Sequence, residues 1–235
     1  VLRAVGYYKG KPVAEDLILL NGLEQAPNFE LLYQDDKKIL KGEAGYNYLY
    51  RLNCGGDDYT DSFGQLWLQD NTNYSCSWAE NFKDLNPYLA SQRTTNDPIH
   101  GTRDWTLFQH FRFGRHQLEY RFPVADGTYR IELYFTEPWH GTGGSASTDC
   151  EGLRIFDVAV NDSVVLDDLD IWAESGHDGV CKKVVYTTVE GGMLKIHFPK
   201  VKAGQALISG IAIASTDQEL KPTVFPASGW SWEKA

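Results

Sequence analysis

A chain of 235 residues with 42% hydrophobic and 23% charged content can build one sizeable core, or one domain with an appendage. Its formal net charge of -10 argues against nucleic acid and anionic membrane surfaces, since both select a basic face. No apolar run approaches the roughly 20 residues of a membrane-spanning helix, so membrane insertion is not expected.

Seven Trp, 13 Tyr and 11 Phe exceed what one core of this size usually needs, so the surplus either enriches a β core or stacks on sugar rings. The chain starts at Val1 and carries a single Met, Met193, which reads as a processed product or an excised piece. Cys54, Cys76, Cys150 and Cys181 are too widely spaced for a metal knuckle and permit three disulfide pairings or none.

Taken in chain order, residues 1–20 read as a hairpin, with strands Leu2–Tyr8 and Val13–Leu20 flanking the turn Lys9-Gly10-Lys11-Pro12. Residues 21–44, with Pro27 and the run Asp35-Asp36-Lys37-Lys38, read as a connector. From Tyr46 onward the period is two. Strands are expected over Tyr48–Cys54, Gln117–Val124, Tyr129–Glu137, Ile155–Val160, Ser163–Leu166, Val184–Val189, Leu194–Phe198 and Ala206–Ala214. One short helix fits Asn81–Ser91. Short strands separated by turn signals at about ten-residue spacing indicate an all-β antiparallel sandwich or jelly roll, and the polar, aromatic segments 71–105 and 138–152 are then its functional loops.

The stretch RLNCGGDDYTD (51–61) offers three kinds of chemistry. A phosphate-cradling loop is excluded, because no Lys or helix follows Gly55-Gly56 and acids stand where phosphate would lie. The glycine pair instead lets the chain turn out of a strand. Asp57, Asp58 and Asp61 suit a solvated turn or a Ca²⁺ ion; adjacent Asp57 and Asp58 cannot by themselves span a sugar as a glycosidase pair does. In LDDLDIW (166–172), alternation places Asp168 and Asp170 on one face, as turn or capping residues or as ligand contacts. The six histidines are scattered, and neither a GxSxG elbow nor an HExxH occurs, so no catalytic nucleophile–base pair is expected. EPWHGTGGSASTDC (137–150) is the strongest functional stretch: it leaves a strand and offers Trp139 and His140, ahead of small polar residues. Trp139 either makes a platform for a pyranose face or folds back on the sandwich edge.

RLNCGG, DSFGQLWLQD (61–70), LEYRFPVADGTYRIELYFTE (118–137), RIFDVAVNDSVVLDDLDI (154–171) and LISGIAIAS (207–215) together resemble the malectin family, in order and spacing, over about 46–215. That resemblance implies a jelly-roll, galactose-binding-like β-sandwich that binds oligosaccharide through loop aromatics and has no catalytic activity of its own. By it, Trp139-His140 falls on the aromatic pair that follows the family's FAE sequence. Phe113 falls on a site tyrosine, and Tyr74 or Trp78 on another. Asp57, Asp168 and Asp170 are candidate hydroxyl acceptors, while Lys200–Gly204 offers no acid where the family has an aspartate. LRAVGYYKGKPVAEDLIL resembles the last two strands of the Ig-like domain of family-two glycoside hydrolases of the β-galactosidase type. The two resemblances imply a hairpin at 1–20, a connector at 21–44, a malectin-like sandwich at 45–216 and a tail at 217–235. They imply a bacterial glycoside hydrolase as parent, its catalytic domains and a glycan as partners, and an exported, periplasmic or cell-surface setting. A structural or oligomerisation role within that enzyme is the alternative.

Overall fold

The structure, a computed structural model, describes residues 2–18, 36–69, 91–114, 118–141 and 149–222. Tyr74, Trp78 and residues 81–90 of the expected helix lie outside the described residues, and Ser91, where that helix would end, opens a strand. The N-terminal hairpin forms from β1 (Leu2–Tyr8) and β2 (Lys11–Ile18), strands being numbered in chain order. Its second strand starts two residues earlier than expected. The register pairs Tyr8 with Lys11, which leaves only Lys9 and Gly10 in the turn, both at positive φ as a twist-matched two-residue turn requires.

The all-β sandwich expected from the sequence is the fold that forms. One sheet runs in the order β12 (Cys181–Val189), β9 (Gly127–Phe135), β16 (Gly210–Ser215), β3 (Asn47–Asn53), β5 (Leu66–Gln69) and β4 (Tyr59–Thr60). The other runs β11 (Ser163–Leu169), β10 (Ile155–Val160), β13 (Met193–His197) and β8 (Glu119–Pro123), with β14 (Val201–Ala203) also on β10. A smaller sheet holds β15 (Ala206–Ile208), β7 (His110–Gly114) and β6 (Ser91–Thr94). Alternation then decides the layers. Tyr129, Ile131, Leu133 and Phe135 of β9 meet Tyr120, Phe122, Phe156, Val158, Leu194 and Ile196 from the facing sheet in one buried core.

The continuous strand expected over Ala206–Ala214 is in fact two. β15 pairs with β7, whereas β16 pairs with β3 and β9. Ser209 is the corner: its N–H donates to the Tyr134 carbonyl at 2.9 Å while its own carbonyl accepts from Cys54 N–H at 2.9 Å. Both segments are apolar and β-branched, so only their different partners reveal the break. Two five-residue helices, α1 (Trp105–Gln109) and α2 (Ile171–Ser175), were also hidden, being too short for a helical period.

The opposite face of the first sheet is covered as well. Leu40, Trp67, Ile99, Leu107, Phe108, Tyr134, Val180 and Ala212 form a second core, with Tyr134 edge-on to Trp67 at 5.3 Å. Leu40 brings residues 37–41 into it, and Lys182 Nζ donates to the Ile39 carbonyl at 3.2 Å. On this face Glu132 is only 1% exposed. Its carboxylate accepts from Arg130 Nε (2.8 Å), Tyr48 OH (2.8 Å) and Tyr134 OH, and Lys182 Nζ lies at 2.9 Å. Burial alone would raise its pKa, yet the Tyr134 and Lys182 hydrogen bonds and the Lys182 charge hold it below the usual range.

Asp61 belongs to this layer too. Its two oxygens accept from Phe63 N, Gln65 N, Gln65 Nε2 and Trp67 Nε1, each at 2.9 Å. The acid is thus a fastener for the Trp67 indole, turned away from Asp57 and Asp58, and the three do not gather as Ca²⁺ ligands. Asp61→Ala strands the buried Trp67 N–H and should lower the unfolding free energy by about 3 kcal/mol, read from urea denaturation, with the exposed Asp57→Ala as a near-neutral reference.

Candidate functional site

Several strand ends gather at one end of the sandwich. Gly210 lies opposite both Asn53 and Tyr134, and Cys181 lies opposite Phe135. The segments after β3, after β9 and before β12 therefore emerge side by side.

Glu137 organises the second of these. It is fully buried, and its carboxylate takes the Arg154 guanidinium through Nε and through Nη2 at 3.1 Å. The same carboxylate accepts the backbone N–H groups of Trp139 (3.0 Å) and His140 (3.1 Å). Arg154 is anchored in turn by the Gln205 carbonyl at 2.7 Å. Burial pushes the Glu137 pKa up, but the Arg154 hydrogen bond and charge, with the two amides, bring it below the ordinary value. The outcome is a fixed turn whose indole, at Trp139, is 74% exposed, with His140 half-buried beside it. Gly141 closes the turn at φ +94; a Cβ there would sit 2.9 Å from Trp172 Nε1 and 3.0 Å from His177 Cβ, so a side chain does not fit.

The other predicted residues fall in different places. Gly55 takes φ +80, and a Cβ on it would meet the Phe111 carbonyl at 2.8 Å, so the turn after β3 lies directly against β7. Asp57, in that turn, is exposed, with its carbonyl accepting from Asn53 Nδ2 at 2.8 Å. Phe113, on β7, is half-buried and packs on the main core, 6.2 Å from the Phe111 ring. Asp168 and Asp170 do not share a face. β11 bulges between its Leu166↔Val158 and Leu169↔Phe156 pairs, which puts Asp168 at φ +52 in an exposed ion pair with Lys202. Asp170 is the N-cap of α2: its oxygens accept Ala173 N at 3.1 Å and Gly152 N at 2.5 Å. Tyr74 and Trp78 lie outside the described residues. The structure thus sets Trp139 and His140 together on one turn, and the Asp57 turn beside the strand of Phe113.

Sequence reasoning missed the groups beneath the rim. Arg154 stands 17 positions from Glu137, and nothing in the chain announces their pairing. His177 and Asp178 follow α2; Asp178 is buried at φ +52, with its N–H on the Glu137 carbonyl (2.9 Å) and its carbonyl on His100 N–H (2.8 Å). Burial raises the Asp178 pKa to about 6; His177 opposes that, while Asp97 and Glu137 add to it. The Asp-Gly pair at 178–179 was the available signal for a constrained turn there.

Fold and rim together define a β-sandwich with an exposed indole on an anchored turn at one end. The malectin domain profile matches residues 48–219, and the chain belongs to the malectin family. Malectin of Danio rerio is 25% identical over 166 residues, 68% of this chain and 52% of that protein. Malectin of Mus musculus is 26% identical over 149 residues, 63% of this chain and 45% of that protein. The chain thus spans about half the length of the curated relatives it matches. Among solved structures, Bacteroides uniformis β-glucuronidase shares the fold with a TM-score of 0.56 at 24% identity, over 90% of this chain and 22% of that one. The ANX2 ectodomain of Arabidopsis thaliana does so with a TM-score of 0.55 at 16% identity, over 78% and 54%.

The depressed Glu137 pKa fixes a sign. Its stabilisation is complete above the unfolded value of about 4.5 and is lost as the pH falls through the lower folded value. Glu137→Gln, which leaves Arg154 buried without its counter-charge, should cost about 3–5 kcal/mol at pH 7. That difference from the wild type should shrink as pH drops below 4.5, measured by urea unfolding across the pH range.

Proposed function

We propose that this malectin domain is a non-catalytic carbohydrate-binding module that takes an oligosaccharide on the rim of Trp139 and His140. The observation that carries this reading is an indole 74% exposed on a turn that a buried carboxylate immobilises. A rigid flat apolar face stacks against the C–H face of a pyranose at little entropic cost, since its two side-chain torsions are the only ones to settle. The imidazole of His140 and the open carboxylate of Asp57 would serve sugar hydroxyls nearby, and Phe113, Tyr74 or Trp78 would extend the apolar wall. Asp168 and Asp170, already engaged by Lys202 and by two amides, contribute to the frame. No cofactor takes part in this contact.

The domain is further proposed as the C-terminal piece of an exported bacterial glycoside hydrolase of the β-galactosidase type, in the periplasm or at the cell surface. Residues 1–20 would close a preceding Ig-like domain, 21–44 connect, 45–216 form the module and 217–235 the tail. Support comes from the likeness to β-glucuronidase, which spans 90% of this chain and so reaches beyond the 48–219 malectin match. Among the described residues no helix is long and apolar enough to cross a membrane. Binding glycan beside the parent's catalytic domains would raise the local substrate concentration. A purely structural or oligomerising role is favoured by one observation: Val184 and Tyr186 stand exposed on the edge strand β12.

Titration calorimetry against glucose, galactose and glucuronic acid oligosaccharides tests the binding reading. Binding in the micromolar to millimolar range is expected, and Trp139→Ala should weaken it by about tenfold or more with the fold unchanged. A folded protein that binds no sugar, and that dimerises through β12, would overturn it in favour of the structural role.

A further inference from the structure

Beside the rim, and separate from the exposed indole, one ligand atom each from Asp97, His177 and Asp178 lie within 4.8 Å of one another. We propose that these three side chains form a binding site for one divalent transition-metal cation of the Zn²⁺ or Mn²⁺ kind. The donor set decides the class, since an imidazole with two carboxylates suits such ions, whereas Ca²⁺ and Mg²⁺ take oxygen ligands almost alone. A metal about 2.0–2.2 Å from each donor holds them roughly 3–4 Å apart, so donors within 4.8 Å of one another need draw in by only about 1 Å.

The cluster is more than a coincidence of acids, because its buried member lacks a partner. The Asp178 side chain is 6% exposed, and its Oδ1 has no hydrogen-bond partner. Its Oδ2 lies 3.0 Å from His177 Nε2, a spacing that an ion bound to both atoms would keep, with Nε2 as the ligand and the ring proton on Nδ1. That Nδ1 is also buried and without a partner. A buried carboxylate oxygen that faces no donor calls for a Lewis acid, and leaving it unmet in a low-dielectric site costs free energy. The carboxylates of Asp97 and Glu137 make the Asp178 charge costlier still, and a cation removes that cost.

The scaffold is rigid on both sides. His100 N donates to Asp178 O at 2.8 Å, Val180 N to His100 O at 3.1 Å, and Asp178 N to Glu137 O at 2.9 Å. Gln109 Nε2 fixes the Asp97 carbonyl at 2.9 Å, and Thr95 Oγ1 meets the Asp97 carboxylate at 3.1 Å. The second acidic group, Asp157, Asp167 and Asp168, differs: Lys202 neutralises Asp168, and Asp157 Oδ1 accepts the Asp168 N–H at 2.9 Å. It has no comparable demand.

The test is calorimetry and thermal unfolding of the metal-stripped protein with Zn²⁺, Mn²⁺, Ca²⁺ and Mg²⁺ added in turn. One equivalent of Zn²⁺ or Mn²⁺ should bind and raise Tm, while Ca²⁺ and Mg²⁺ should not compete. Asp97→Asn, at an exposed position that preserves the fold, should weaken affinity at least about tenfold, as should His177→Gln, and Asp167→Asn should leave it unchanged. Circular dichroism verifies each fold, and the Co²⁺ spectrum of the wild type reports nitrogen and oxygen ligation independently of any variant. Absence of saturable binding, affinity unchanged in both ligand variants, or a thiolate signature in the Co²⁺ spectrum would each overturn the site.

Discussion

The contact on which the rest depends is the Glu137–Arg154 ion pair. Glu137 stands two residues beyond the end of β9 in one sheet, and Arg154 immediately precedes β10 in the other, so their bond fastens the two layers at the end that carries the rim. Such a pair adds little net stability over an apolar substitute, but losing one partner is costly because the other is stranded. Here the carboxylate does a second task with the same oxygens by holding the amides of Trp139 and His140. The place of the turn that presents the indole is therefore a consequence of how the sheets close.

β9 also explains why two glutamates are buried five residues apart. Its sheet is covered on both faces, so outward Glu132 and inward Glu137 are both removed from water. Each is tolerated only because cations and hydroxyl or amide donors fill its lone pairs: Arg130, Lys182, Tyr48 and Tyr134 for one, Arg154 and two backbone amides for the other. Asp178, third of the buried acids near this strand, has only the His177 ring paired with its carboxylate among the described residues.

Period-two alternation was enough to locate β3, β8, β9, β10, β12 and β13 to within three residues at each end, and the Gly55 turn followed from glycine chemistry. What alternation could not report is partnership. Ser209 looks like any strand residue, yet the chain changes sheets there. Asp168 and Asp170 sit two apart, yet a bulge and a helix cap separate them, because pairing with β10 slips by one residue. In the rim, Trp139 was legible from its place after a strand. Its anchor was not, since Arg154 belongs to another sheet, and Asp97 is distant in sequence from His177 and Asp178. Charges that meet across sheets leave no spacing to read.

Residues 37–41 carry a consequence for where the sandwich begins. Leu40 is 1% exposed in the second core, Gln65 Nε2 holds its carbonyl at 3.0 Å, and Lys37 N reaches the Gly101 carbonyl at 3.0 Å. A protease or an engineer cutting at residue 45 would uncork the pocket beside Trp67 and Ile99 and release Lys182 from the Ile39 carbonyl. The lead-in is thus a plug as well as a link, and a severed sandwich would be expected to reveal itself through the fluorescence of a newly wetted Trp67.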